Sequence, residues 1–134
     1  MSFNKTEIIY HQSSKEEQMD TSFLQSELND STLYLALLYY EVKHPKAVMA
    51  QAKLESANYT SSYCKKNNNF LGLYNSSKKR YYKFDHWTDC IQGYKDMVEY
   101  KLKDGENYYN FLRRIKYAED VAYIHKIKEI ENGI

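Results

Sequence analysis

From Leu33 to Ile130 the apolar residues recur at three- and four-residue spacing, broken once between Phe70 and Phe84. That pattern confines the chain to a mostly helical fold. Leu33, Leu37 and Tyr40 share one helical face and predict a helix over 32–43, capped by Asp30 or Ser31. His44-Pro45 breaks it and opens a second helix, because proline suits a first turn, where its missing N–H is not needed. Asn58 to Ser61 reads as a turn before a short helix through Lys66, and Asn67-Asn68-Asn69 as a loop. Ile91, Tyr94, Val98 and Leu102 form a later stripe, which Asp104-Gly105 ends. Tyr108, Phe111, Leu112 and Ile115 mark a further helix, and Tyr123, Ile127 and Ile130 the last.

The interruption has strand character. Leu71 and Leu73 alternate, Asn75-Ser76-Ser77 supplies a turn, and Tyr81, Tyr82 and Phe84 return. This is a small antiparallel hairpin with a basic tip, Lys78-Lys79-Arg80, which is either a solvated turn or a contact for an anionic polymer. The expected class is α+β, mostly helical, with about six helices, one small β-hairpin and one core. The 134 residues suffice for one compact domain. Residues 1–31 are polar and weakly patterned and read as an N-terminal extension, with Glu7 to Tyr10 as a short packed segment and His11 to Asp20 as a solvated arm. Residues 32–134 form the domain proper.

Composition excludes several classes. A net charge of +1 gives no global basic field, so a nucleic-acid partner is not expected. No stretch approaches the roughly 18–20 apolar residues of a membrane span. Met1 to Glu7 lacks an apolar segment, so we expect no secretory signal peptide. The chain would act in the cytoplasm of its producing cell until lysis releases it, or travel in a particle. Cys64 and Cys90 are far apart in sequence and lack the Cys/His company of a zinc site, so buried thiols are expected over a disulfide, with no metal and no cofactor. The 15 tyrosines stand out. Most should fill the core, yet a ring that keeps a hydroxyl also suits a sugar, whose C–H faces stack and whose hydroxyls need partners.

Glu55 carries the chemistry. Val48, Ala52 and Glu55 fall at i, i+4 and i+7 on one face of the helix that starts at Pro45. A carboxylate on an apolar stripe is costly to ionise, and partial burial raises its pKa as a general acid requires. The plain structural alternative is a solvated helix end.

Four motifs then occur in order: Ala50-Gln51-Ala52-Lys53-Leu54-Glu55-Ser56, Asn68-Asn69-Phe70-Leu71-Gly72-Leu73, Tyr82-Lys83-Phe84-Asp85-His86-Trp87, and Tyr117-Ala118-Glu119-Asp120 followed by Tyr123. Together they resemble the glucosaminidase family of bacterial peptidoglycan hydrolases, which has a lysozyme-like fold, and the resemblance covers roughly residues 32–130. It implies an endo-β-N-acetylglucosaminidase cleaving after GlcNAc, with Glu55 as general acid and Tyr117 across the cleft. Asn69 and Gly72 would shape the cleft floor, and Tyr82 and Tyr123 would lie among the substrate-binding residues. Tyr59 and Trp87 are candidate sugar-stacking residues, Trp87 alternatively a wedge between hairpin and helix. A small catalytic domain of this kind looks like a bacteriophage endolysin or a wall-piercing virion component, with the N-terminal arm as a docking segment for virion proteins.

The departures from the family pattern are specific. Ala57 stands where glycine is usual, and is strained if that position needs positive φ. Phe70-Leu71 inverts the usual order, and Val121 replaces a proline. Between Gly72 and Phe84 there is no acid, whereas many relatives carry a second carboxylate there. Glycoside hydrolysis usually uses two carboxylates. Asp85 is the nearest candidate for the second, or else the N-cap of the next helix, and Glu119 and Asp120 are further candidates. Without a protein nucleophile, the substrate's own acetamido group can attack the anomeric carbon. A lysozyme-like structural or binding module with weak activity, and a lytic transglycosylase, are the competing expectations.

Overall fold

The computed structural model describes residues 21–134, so the expectations for Glu7 to Tyr10 and for His11 to Asp20 lie outside the described residues. Six α-helices are described: α1 Asp30–Tyr39, α2 Pro45–Glu55, α3 Ser62–Asn67, α4 Trp87–Met97, α5 Tyr108–Arg114 and α6 Tyr123–Asn132. Two short strands, β1 Tyr74–Asn75 and β2 Arg80–Tyr81, pair antiparallel with Tyr74 opposite Tyr81 and Asn75 opposite Arg80. The class is α+β and mostly helical, as expected.

Three helix boundaries differ from the sequence reading. The cap of α1 is Asn29, not Asp30 or Ser31. Its side chain accepts from the Thr32 N–H at 2.9 Å while Thr32 Oγ1 accepts from the Asn29 N–H at 3.0 Å, a reciprocal capping box. Asp30 is thereby released to pair with Lys53 at 3.0 Å and to accept from the Tyr59 hydroxyl at 2.8 Å, tying the start of α1 to the end of α2. The helix stops at Tyr39 and does not reach residue 43. Glu41 turns left-handed at φ 58, and the Val42 N–H folds back to the Leu37 carbonyl at 3.0 Å. In α4 the α-helical part of the stripe ends at Met97, and Glu99–Lys101 continue as a 3₁₀ turn. Buried Glu99 explains the change: its carboxylate accepts the Lys43 N–H at 3.0 Å, which fixes that turn against the α1–α2 junction.

Helix α2 is the centre of the molecule. Pro45 occupies its first turn, and Ala47 to Ala52 are all buried, so the helix is enclosed on every side over that stretch. Small alanines let α1 and α6 approach it closely. Leu33, Leu37, Val48, Phe70, Ile91, Phe111 and Ile127 complete a single core around it. Cys64 and Cys90 are buried free thiols, and burial pushes the Cys90 thiol up to about 12. Phe23 packs edge-on against Tyr39, and the Trp87 indole N–H donates to the Ser26 carbonyl at 2.8 Å, so residues 23–26 lie against the helical body.

Candidate active site

Glu55 is the last residue of α2 and stands half-buried where the core opens. Burial raises its pKa above the ordinary carboxylate value, and a hydrogen bond with Tyr123 works in the opposite direction. No charged side chain adds to either effect. Among the described residues, no second carboxylate shifts the Glu55 pKa.

Across from it is Gly72, at φ +65. A methyl group on Gly72 would lie 3.3 Å from Glu55 Oε2 and 2.8 Å from the Tyr63 hydroxyl oxygen. The bare backbone of Gly72 thus forms the surface on which the carboxyl rests. Asn69 holds that backbone in place. Fully buried, it donates from Nδ2 to the Leu73 and Tyr82 carbonyls at 2.9 and 3.0 Å, and accepts the Leu73 N–H at 3.0 Å. Its amide is consumed by the fold, in bonds to the backbone of Leu73 and Tyr82.

Behind Glu55 runs a chain of hydroxyls and one amide. The Tyr108 hydroxyl donates to Gln51 Oε1 at 2.6 Å, and so must accept from Tyr94, whose oxygen is 2.6 Å away. Gln51 Nε2 donates to the Tyr123 oxygen at 3.3 Å, leaving the Tyr123 proton for Glu55. Gln51 is one turn before Glu55 on the same face of α2, which is why one helix delivers both. The Tyr117 ring packs on Tyr123 with centroids 5.7 Å apart, and its hydroxyl points to the Leu71 carbonyl at 3.5 Å. Burial, the neighbouring tyrosines and the Glu55 charge all raise the Tyr117 pKa, so it stays a neutral donor beside the acid. Burial first and the Glu55 charge second raise the Tyr63 pKa as well.

Other expected site residues are placed elsewhere. The Tyr59 hydroxyl is bound to Asp30, and its backbone is left-handed at φ 68. Trp87 is buried, with its indole N–H taken by the Ser26 carbonyl. Asp85 is exposed and is not a cap: His86 caps α4, its ring accepting the Thr88 N–H at 3.2 Å while Asp89 accepts the His86 N–H at 3.1 Å. Tyr82 is half-buried on the hairpin, stacked over Phe84. Asp120 is spent on Lys126 at 2.8 Å and on the Ala122 N–H, and Glu119 is exposed. Among the described residues no group of three or more His, Cys, Asp or Glu could hold a metal ion.

The site also contains two residues, Tyr63 and Gln51, that carry no role in the sequence reading. Tyr63 has no periodic partner that would single it out in a six-residue helix. Gln51 was visible as a polar residue one turn before Glu55 on a buried face, a signal strong enough to use.

Residues 34–134 match the glucosaminidase family model, whose description is mannosyl-glycoprotein endo-beta-N-acetylglucosaminidase. No curated protein and no solved structure matches the chain.

Proposed function

The chain belongs to the glucosaminidase family, a family of glycoside hydrolases with a lysozyme-like, mostly helical fold, and from that premise we propose that it cleaves the β-1,4 bond after GlcNAc in bacterial peptidoglycan with Glu55 as the general acid. The observation that carries the reading is the Glu55 carboxyl: raised by burial, held by Tyr123, and set against Gly72 at the mouth of the core. A carboxyl with a raised pKa keeps its proton to higher pH and can donate it to the glycosidic oxygen as the C–O bond breaks.

The second half of the reaction is supplied by substrate. Among the described residues no second carboxylate acts on Glu55, and the hairpin that would carry one has none. In the proposed route the acetamido carbonyl oxygen of the GlcNAc attacks the anomeric carbon as Glu55 gives up its proton. Tyr117, a neutral donor beside the acid, orients that acetamido group. Water then opens the cyclic intermediate, and the Glu55 carboxylate takes the proton of the attacking water, which restores the starting acid.

Ala57 favours a second reading, a structural or binding module with weak activity in which the chain docks to a virion assembly. It adopts φ 50 immediately after the catalytic turn, where glycine would be unstrained. Delivery by phage lysis or inside a virion belongs to the same proposal. The test is product analysis on purified peptidoglycan with the native chain and Glu55→Gln. New reducing GlcNAc ends from the native chain alone support the hydrolase. Anhydro-sugar ends assign a lytic transglycosylase, and no product from either assigns the module.

A further inference from the structure

The cations of this chain are unevenly distributed. From Ser56 to Phe84 there are six, Lys65, Lys66, Lys78, Lys79, Arg80 and Lys83, and not one Asp or Glu. The whole chain carries only +1, so everything outside this stretch is net acidic. All six side chains are exposed, and among the described residues none of them enters an ion pair. Six exposed cations with no acid among them, four of them between Lys78 and Lys83, offer a surface for anions.

The fold gathers part of this set into a concavity. A cleft of about 560 Å³ beside the hairpin is lined by Asn67, Asn75, Lys78, Arg80, Tyr81 and Lys83. The Asn75 side-chain oxygen is taken by the Lys78 N–H at 3.1 Å, which leaves its amide donors free. Arg80 offers a planar fork that matches a carboxylate, and the Asn67 and Asn75 amides suit the peptide groups that would accompany one.

The cleft is also connected to Glu55. The Tyr81 ring stacks on Tyr63 with centroids 4.6 Å apart, and the Tyr63 hydroxyl lies against Gly72 beside the Glu55 carboxyl. A glycan lying along Glu55, Tyr63 and Tyr81 would carry its side branches into the basic cleft. We propose that this cleft binds the carboxylates of the peptide branches borne by the glycan strand, and so selects peptide-bearing over bare glycan. The proposal rests on the peptidoglycan reading above.

Binding is measured in the full chain carrying Glu55→Gln, so that strands stay intact. The ligands are purified glycan strands with their peptides, the same strands stripped of peptides by an amidase, and peptide-bearing strands freed of phosphate-linked polymers by acid. Peptide-bearing strands should bind about tenfold tighter than stripped ones, as three exposed charge contacts provide. Removal of phosphate-linked polymers should leave that advantage unchanged. It should vanish at about 1 M salt, where screening reaches about 3 Å, and in Lys78→Gln/Arg80→Gln/Lys83→Gln. Equal binding of peptide-bearing and stripped strands, none measurable included, overturns the proposal. So does an advantage that survives the triple substitution or disappears with the phosphate-linked polymers. Cleavage of the same strands by the native chain is scored separately: no cleavage with the binding difference intact overturns the hydrolase and leaves the cleft assigned.

Discussion

Tyr123 favours the charged form of the Glu55 carboxyl while Gln51 Nε2 donates to the Tyr123 oxygen at 3.3 Å, so burial and the tyrosine act on the acid in opposite directions. Burial raises the pKa, and the tyrosine's bond to the charged form lowers it. Tyr123→Phe removes the second effect alone. The Glu55 pKa then rises further, and the alkaline limb of kcat/KM on peptidoglycan, where the protonated acid is lost, moves to higher pH. A pH–rate profile on both proteins checks this, and a limb that stays put or moves down contradicts it. The variant also strands the Gln51 amide, at a cost of about 1–3 kcal/mol of stability.

Glu55→Gln separates catalysis from folding. Loss of a general acid lowers kcat by about 10²–10⁴-fold. Stability moves the other way. The folded Glu55 has a pKa above its unfolded value, so native Glu55 binds its proton more tightly than the unfolded chain does. Between those two values the native state holds more protons, and stability falls as pH rises. The neutral glutamine has no such penalty. The Tm of the variant relative to the native chain should therefore grow as pH rises from below 4.5, the unfolded carboxyl value, toward neutrality. Thermal melts across that range provide the measurement, and a difference that shrinks with pH refutes it.

Gly72 and Gly105 make a matched pair. Both have positive φ, +65 and +73, so alanine at either meets left-handed strain of about 1–2 kcal/mol. Only at Gly72 does the new methyl also meet Tyr63 and Glu55, at 2.8 and 3.3 Å, while at Gly105 nothing lies within 4 Å. Both variants should lose stability, but Gly72→Ala alone should lose activity. Displacing a reacting group by about 1 Å can cost on the order of 10²-fold. Urea titration and initial rates on the two variants give the comparison; equal loss of activity in both refutes the role of Gly72.

What the sequence made legible follows from where periodicity reaches. Each helix α1, α2, α4, α5 and α6 was announced by apolar spacing, because each buries one stripe or more against the core. Glu55 was legible as a charge on such a stripe. The ends of α1 and α4 were not, since they depend on contacts distant in sequence: Glu41 turning left-handed, and Glu99 accepting the Lys43 N–H. The same holds at the site. Trp87 in a sequence reads either as a sugar platform or as a wedge, and nothing local shows that Ser26, 61 residues away, takes its N–H. Tyr63 becomes significant only when Gly72 and Tyr81 are folded against it. Local pattern fixes elements, and long-range hydrogen bonds decide which aromatic rings remain available.

Ala57 carries the last prediction. Residues 57, 58 and 59 all have positive φ, 50, 55 and 68, directly after the helix that delivers Glu55. The turn is held by Ser56, whose hydroxyl donates to the Ala52 carbonyl at 2.6 Å and accepts the Tyr59 N–H at 2.8 Å, and whose carbonyl accepts from Thr60 and Ser61. Those bonds fix the left-handed path whatever occupies position 57. An alanine there meets a steric penalty of about 1–2 kcal/mol that glycine escapes. Glycine gives back part of the gain through the greater freedom of its unfolded chain, about 0.4–1 kcal/mol. Ala57→Gly should therefore stabilise the protein by about 0.5–1 kcal/mol, the sign opposite to that of glycine placed inside a helix. Denaturant titration reads the change directly. Because Ser56 anchors the turn in both forms, kcat on peptidoglycan should change by less than about twofold. A destabilised variant would mean that the turn is not held left-handed in solution.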